Sequence, residues 1–207
     1  QRQPAGASRP VLLFLPDIDL SEYAIRQQMD QGELREEFEV RWLVAPPDDR
    51  TPYPELVSML GASIEDEFDA TKRSTYIVGD AFGGALALSV ALEFGDKAPR
   101  GLAGLFIINP ATSIELSNVP LLLPALEGLS LLPQPLSTAF VASALPAALA
   151  GSRALPMSRA SLDRLSSILR AYSSALPLET LLYRVDMLRH AAASVASPKQ
   201  LARLTLP

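Results

Sequence analysis

Cysteine is absent from the 207 residues, which excludes a disulfide framework, a thiolate metal site and any cysteine nucleophile. Histidine is nearly absent too: His190 is the single copy. Basic excess is also missing. A formal net charge of -5 and a pI near 5.0 give no electrostatic reason to bind nucleic acid, and that class of partner is set aside. Residues 1–10 hold neither the apolar run of a signal peptide nor the length of a membrane span, and read as a polar leader. No internal repeat or low-complexity segment stands out.

The composition does supply apolar side chains, 48% of the total, enough for one sizeable buried core. Val11-Leu12-Leu13-Phe14-Leu15 is a continuous apolar run stopped by Pro16, the pattern of a strand buried on both faces of a parallel sheet. Helical character follows over residues 21–37. A more alternating strand over 38–44, ending at Pro46-Pro47, reads as nearer the sheet edge. From Pro52 a one-faced helix is predicted, with Leu56, Leu60, Ile64 and Phe68 recurring every four residues. Tyr76-Ile77-Val78 is a short strand running through a glycine turn into the helical Ala85 to Leu92. Residues 102–108 read as a fourth buried strand closed by Asn109-Pro110. Strand and helix therefore alternate through residues 11–117, the signature of an open, mostly parallel α/β sheet.

The second half differs. Residues 118–151 are rich in leucine and alanine, carry only Glu127 as a charge, and are broken by Pro120, Pro124, Pro133, Pro135 and Pro146. Five prolines leave no uninterrupted apolar run of roughly 18 to 20 residues, as a membrane span requires. Amphipathic helices are predicted over 158–175 and 178–194, so residues 118–200 form an all-helical cap or lid insertion. Residues 201–207 look like the start of a further core strand.

The chemistry-bearing motif is Gly79-Asp80-Ala81-Phe82-Gly83, which has the frame of the nucleophile elbow G-x-S-x-G. That turn thrusts its central residue, in strained backbone geometry, from a strand end onto a helix start, and the flanking glycines let the backbone turn without side-chain clashes. A hydroxyl or thiol is needed at the centre. The methyl of Ala81 can neither attack a carbonyl nor be activated by a base. A phosphate-binding reading of the same turn fails on spacing, which matches neither G-x-G-x-x-G nor a P-loop.

Across these residues the chain resembles the plant and algal plastid esterase/lipase/thioesterase family of the α/β-hydrolase superfamily, which includes phytyl ester synthases with diacylglycerol acyltransferase activity. The resemblance is carried by residues 11–16 with Ile18-Asp19, by Asp49-Arg50-Thr51-Pro52, by Tyr76 to Gly84, by Asn109-Pro110-Ala111-Thr112-Ser113 and by Leu178-Glu179-Thr180-Leu181-Leu182. It implies a partial α/β-hydrolase fold with a helical cap and with C-terminal strands missing, a chloroplast location, and a place at the periphery of the thylakoid or envelope membrane. The family pattern at the elbow is G-D-S-F-G-G, so Ala81 stands where the resemblance puts the catalytic serine. The turn after the first strand normally reads P-G-I-D-G, and here Asp17 and Leu20 replace both glycines. That turn normally supplies one backbone N–H of an oxyanion hole, paired with the N–H of Phe82, and a carboxylate at Asp17 would oppose a developing oxyanion. The family's acid and histidine are expected beyond Pro207. His190 reads as a surface or packing histidine, and Asp19, Asp80 and Arg50 as polar residues serving local turns.

Two functions follow as expectations. One is a catalytically degenerate hydrolase-like protein, retained as a structural or interaction subunit, which needs other protein subunits and could hold a lipid or a chlorophyll tail through its cap. The other is a plastid acyltransferase or esterase whose serine has been replaced by Ala81. An engineered replacement would explain Ala81 but not Asp17 and Leu20. No cofactor, no metal and no transmembrane span are expected.

Overall fold

The computed structural model describes residues 9–20, 33–93, 98–112 and 177–195, with shorter pieces within 124–139 and 198–204. The chain divides into two compact units, residues 1–45, 50–114 and 186–207 in one, and 46–49 with 115–185 in the other. Residues 186–207 group with the first unit by their contacts.

The first unit is built on a four-stranded parallel sheet. Its strands are β1 (Val11–Leu15), β2 (Glu39–Trp42), β3 (Thr75–Asp80) and β4 (Leu102–Ile108), in the order β2-β1-β3-β4. A short helix, α1 (Glu33–Glu37), precedes β2, and residues 21–32 of the helix predicted there lie outside the described ones. Helix α2 (Tyr53–Thr71) leads to β3, and α3 (Phe82–Glu93) leaves it. In register, Val11 pairs with Thr75 and Leu15 with Gly79, so β1 and β3 end side by side. After β1 the chain steps outward to β2, then crosses back to the other side of β1 for β3. This reversal makes the carboxyl ends of β1 and β3 a topological switch point, where open α/β sheets form their crevice.

Burial follows the patterns that the sequence set. Four of the five β1 residues are buried, as befits an inner strand, and β2 is half-buried at the edge. On α2 the side chains of Leu56, Leu60 and Ile64 are buried, one per turn, and Tyr53 joins them. Helix α3 is apolar all round and almost wholly buried, the expected state of a helix without a polar face. The Tyr53 hydroxyl donates to Ser89 Oγ at 2.7 Å, and the Tyr53 and Phe82 rings meet edge to face, tying α2 to α3.

Strand β4 departs from expectation. It was read as fully buried, but only Leu102 is, while Phe106 is 56% and Ile108 47% exposed. Among the described strands β4 has one neighbour, β3, and an apolar run says nothing about which of its sides are covered.

A charged network closes the opposite end of the sheet. Arg41 on β2 donates to Glu39 and to Glu67 on α2, and Arg73, just before β3, donates to Glu67 and Glu39.

Helix α4 (Leu178–Val195) begins in the second unit, within one residue of its predicted span at each end. Within that unit the Thr180 hydroxyl donates to the Pro47 carbonyl at 2.6 Å, and the buried Arg184 guanidinium donates to that of Pro46. Leu131, Leu132 and Leu136 are exposed around Pro133. The helix predicted over 158–175 lies outside the described residues, as do residues 205–207. Leu201 closes a short helix, α5 (Pro198–Leu201). No helix of the described residues is long and apolar enough to cross a membrane.

Candidate functional site

The sharpest turn of the first unit lies at the switch point. Strand β3 ends at Asp80, α3 starts at Phe82, and Ala81 between them has φ 47°, a left-handed value unusual for a residue with a side chain. The backbone around it holds that conformation. The Ala81 N–H donates to the Ile108 carbonyl at 3.0 Å, and the Ala81 carbonyl accepts from Gly84 and Ala85 of the first helical turn and from Ala111.

Two glycines make the turn possible through close approach. A Cβ at Gly79 would lie 2.4 Å from the Gly83 carbonyl oxygen, and one at Gly83 would lie 2.0 Å from that of Leu15. The end of β1 thus passes directly against the start of α3. This contact brings the residues after β1 to the elbow.

Those residues form a second tight turn. The Leu20 N–H donates to the Asp17 carbonyl at 2.8 Å, and Leu20 itself has φ 45° while its side chain is only 3% exposed. The position at which the resemblance replaced a glycine therefore keeps a backbone conformation that favours glycine, now with a buried leucine on it. Asp19 is buried in the same turn.

The Asp17 carboxylate bridges the two turns. Its Oδ1 accepts from the Ile18 N–H at 2.7 Å and from the Phe82 N–H at a longer 3.4 Å. Phe82 is the residue after Ala81 and the first of α3, so its N–H is one of the free donors at a helix start. Asp80 stands close by. Its carboxyl is pushed above the ordinary carboxylate range, first by burial and then by the Asp17 charge, against the Ala81 N–H, which favours ionisation.

Of the residues singled out from the sequence, Asp17, Gly79, Asp80, Ala81, Phe82 and Gly83 thus converge. His190 does not join them: it is exposed on α4, and since a carbonyl can only accept, its Nδ1–H donates to Asp186 one turn earlier. Arg50 is exposed. Two features were not read from the sequence. The order of residues does not show that the Ile18 N–H donates to Asp17, nor that the Asp17 carboxylate reaches the N–H of Phe82. The available signal was the habit of aspartate to bind backbone N–H groups just ahead of it in a turn. Among the described residues no group of three or more His, Asp or Glu is placed to hold a metal ion.

Comparison with known proteins adds the lineage. No family model matches the chain. It is 30% identical over 214 residues to phytyl ester synthase 2, chloroplastic, of Arabidopsis thaliana, an alignment covering 93% of this chain and 29% of that protein. It is 37% identical over 132 residues to phytyl ester synthase 1, chloroplastic, of the same plant, covering 60% of this chain and 18% of the relative. The chain therefore spans less than a third of the length of the curated relatives it matches.

Solved structures agree on the fold. A serine-to-alanine variant of an N-formylmaleamic acid deformylase from Pseudomonas putida S16 superposes with a TM-score of 0.56 at 15% identity, over 97% of this chain and 72% of that one. MenH from S. aureus gives 0.56 at 12% identity, over 99% and 76%. An aryl esterase structure from Burkholderia cenocepacia gives 0.50 at 15% identity, over 96% and 69%. Identities this low speak for the fold alone. With its parallel sheet and its elbow at the switch point, the chain has the α/β-hydrolase fold and is a homologue of part of the phytyl ester synthases.

Proposed function

We propose that this chain is a catalytically silent α/β-hydrolase-type domain, kept for its surfaces within a chloroplast membrane-associated assembly. The observation that carries the reading is Ala81 at the apex of the elbow, φ 47°, where the superfamily's nucleophile belongs. A methyl group offers no lone pair to a carbonyl carbon and no proton to a base. In serine proteases, loss of the catalytic serine costs on the order of 10⁶ in turnover. Asp17 adds to this, because a fixed carboxylate on the Phe82 N–H opposes negative charge developing on a substrate carbonyl. The chloroplast location rests on resemblance to two chloroplastic proteins. Protein partners, and a lipid or pigment tail held by the cap, complete the reading.

A second reading draws on the names of the relatives and on the intact elbow backbone. It makes the chain part of a plastid acyltransferase or esterase acting in phytyl ester or triacylglycerol synthesis, with Ala81 in place of serine. One experiment separates the two. The natural full-length protein is incubated with short-chain p-nitrophenyl esters, with and without a serine-directed inhibitor. The silent reading expects no turnover above the uncatalysed rate. Ester cleavage that the inhibitor abolishes would sink it and support the second.

A further inference from the structure

The Asp17 carboxylate has a local explanation for only half of its contacts. Its 2.7 Å bond from the adjacent Ile18 N–H is the short-range bond that an aspartate makes in a turn. The approach to the Phe82 N–H, 65 positions along the chain, is not local. It exists because Gly83 lets the end of β1 lie against the first turn of α3, so that two N–H groups from separate segments point at one oxygen. A pair of N–H donors converging on one negatively charged oxygen is the arrangement that acyl-transfer sites present to an oxyanion.

We propose that Asp17 is a built-in stopper: its carboxylate takes the place of the anion that the Ile18 and Phe82 N–H groups are arranged to receive, and shuts the pocket to external carbonyl and carboxylate groups. The inference rests on the oxyanion reading of the elbow given above and deepens it. With no substrate oxyanion to receive, N–H groups shielded from water would be left unbonded, which is costly. A carboxylate supplied by the chain's own turn gives the Ile18 N–H a short charge-assisted bond and the Phe82 N–H a longer, weaker contact at 3.4 Å, with no partner from solution. The pocket then contributes to holding β1 against α3 instead of to binding. Asp80 stands near enough to feel the Asp17 charge, which adds to burial, the larger cause, in making its ionisation harder.

The test reads anion binding, not turnover. Amide resonances of the isotope-labelled full chain are followed while sodium acetate is added, in the unaltered protein and in Asp17→Gly. The unaltered protein is expected to show no saturable change at Ile18 or Phe82. In Asp17→Gly both amides shift saturably, with half-saturation at an acetate concentration at least about tenfold lower than any response of the unaltered chain. An identical response in the two proteins overturns the proposal. Should Asp17→Gly not fold, Asp17→Asn keeps the shape and removes the charge. The Ile18 and Phe82 amide protons then move upfield as their bonds weaken, and a Phe82 resonance that stays in place overturns the proposal as well. Failure here is distinguishable from failure of the silent reading: inhibitor-sensitive ester cleavage sinks that reading, whereas matching acetate responses sink only the stopper.

Discussion

The N–H of Ala81 donates to the carbonyl of Ile108, 3.0 Å away at the end of the neighbouring strand. With the three N–H groups that meet the Ala81 carbonyl, this bond fixes the elbow through backbone atoms alone. The geometry of the turn is therefore independent of whether position 81 carries a hydroxyl, which is why it persists around a methyl group.

Ala81→Gly is expected to raise stability by up to about 1 kcal/mol, because glycine adopts positive φ without the Cβ penalty. Lys72 provides the control away from the site. It ends α2 with φ 59°, its N–H bonded to the Phe68 carbonyl, and its exposed ammonium 3.9 Å from Asp69 adds little. Lys72→Gly should give a gain of the same size. Urea midpoints of the two variants measure both effects, and a loss at position 81 would show that the alanine side chain matters to the turn.

Gly83→Ala should behave in the opposite way. The new methyl would sit 2.0 Å from the Leu15 carbonyl oxygen and 2.6 Å from that of Pro16, both backbone atoms that cannot swing aside. A loss of about 3 kcal/mol or more is expected, since overpacking against backbone forces strands apart. A urea denaturation curve within roughly 0.5 kcal/mol of the unaltered protein would contradict the close approach of β1 to α3.

The pH dependence has two components of opposite sign. Glu67 is held down to about 2 by its hydrogen bonds to Arg41 and Arg73, which outweigh the opposing effect of burial, so the folded state binds its proton less tightly than the unfolded chain does. Its contribution is complete above the ordinary value of 4.5 and is lost as pH falls toward 2. Asp80 is raised, so the folded state holds its proton more tightly, and stability falls as pH climbs from the ordinary 3.8 through the raised value. Asp80→Asn should thus be more stable than the unaltered protein at neutral pH, with the difference vanishing below the ordinary aspartate range. Glu67→Gln should shrink the acid-side loss, leaving the part that comes from Glu39, which Arg73 and Arg41 also hold below its ordinary value. Carboxyl chemical shifts followed against pH check the cause directly, because Asp17→Asn should bring the Asp80 titration back toward its ordinary range.

Much of the scaffold was legible because local patterns and tertiary environment agree. The apolar block at 11–15, short and stopped by Pro16, fits an inner strand, and the four-residue recurrence of Leu56, Leu60 and Ile64 fits a one-faced helix. The elbow was legible for a sharper reason, since glycines on both sides of one residue between a strand and a helix are what this backbone requires. Exposure along β4 was not legible. Leu102 and Phe106 look alike in sequence, four positions apart, yet one is buried and the other is not, because a register shift against β3 lies between them and turns them to opposite faces of the sheet.

The sequence by itself determined that position 81 lacks a nucleophile, that no cysteine could replace it, and that the turn after β1 carries an aspartate and a leucine where glycines are expected. Only the tertiary structure decided what that aspartate does. Asp17 and Phe82 are 65 positions apart, and no local propensity links them. Parallel pairing of β1 with β3, and the missing side chain at Gly83, bring the carboxylate onto the N–H at the start of α3. An electrostatic contact of that kind depends on distance in space, which the order of residues along the chain does not encode until the sheet has formed.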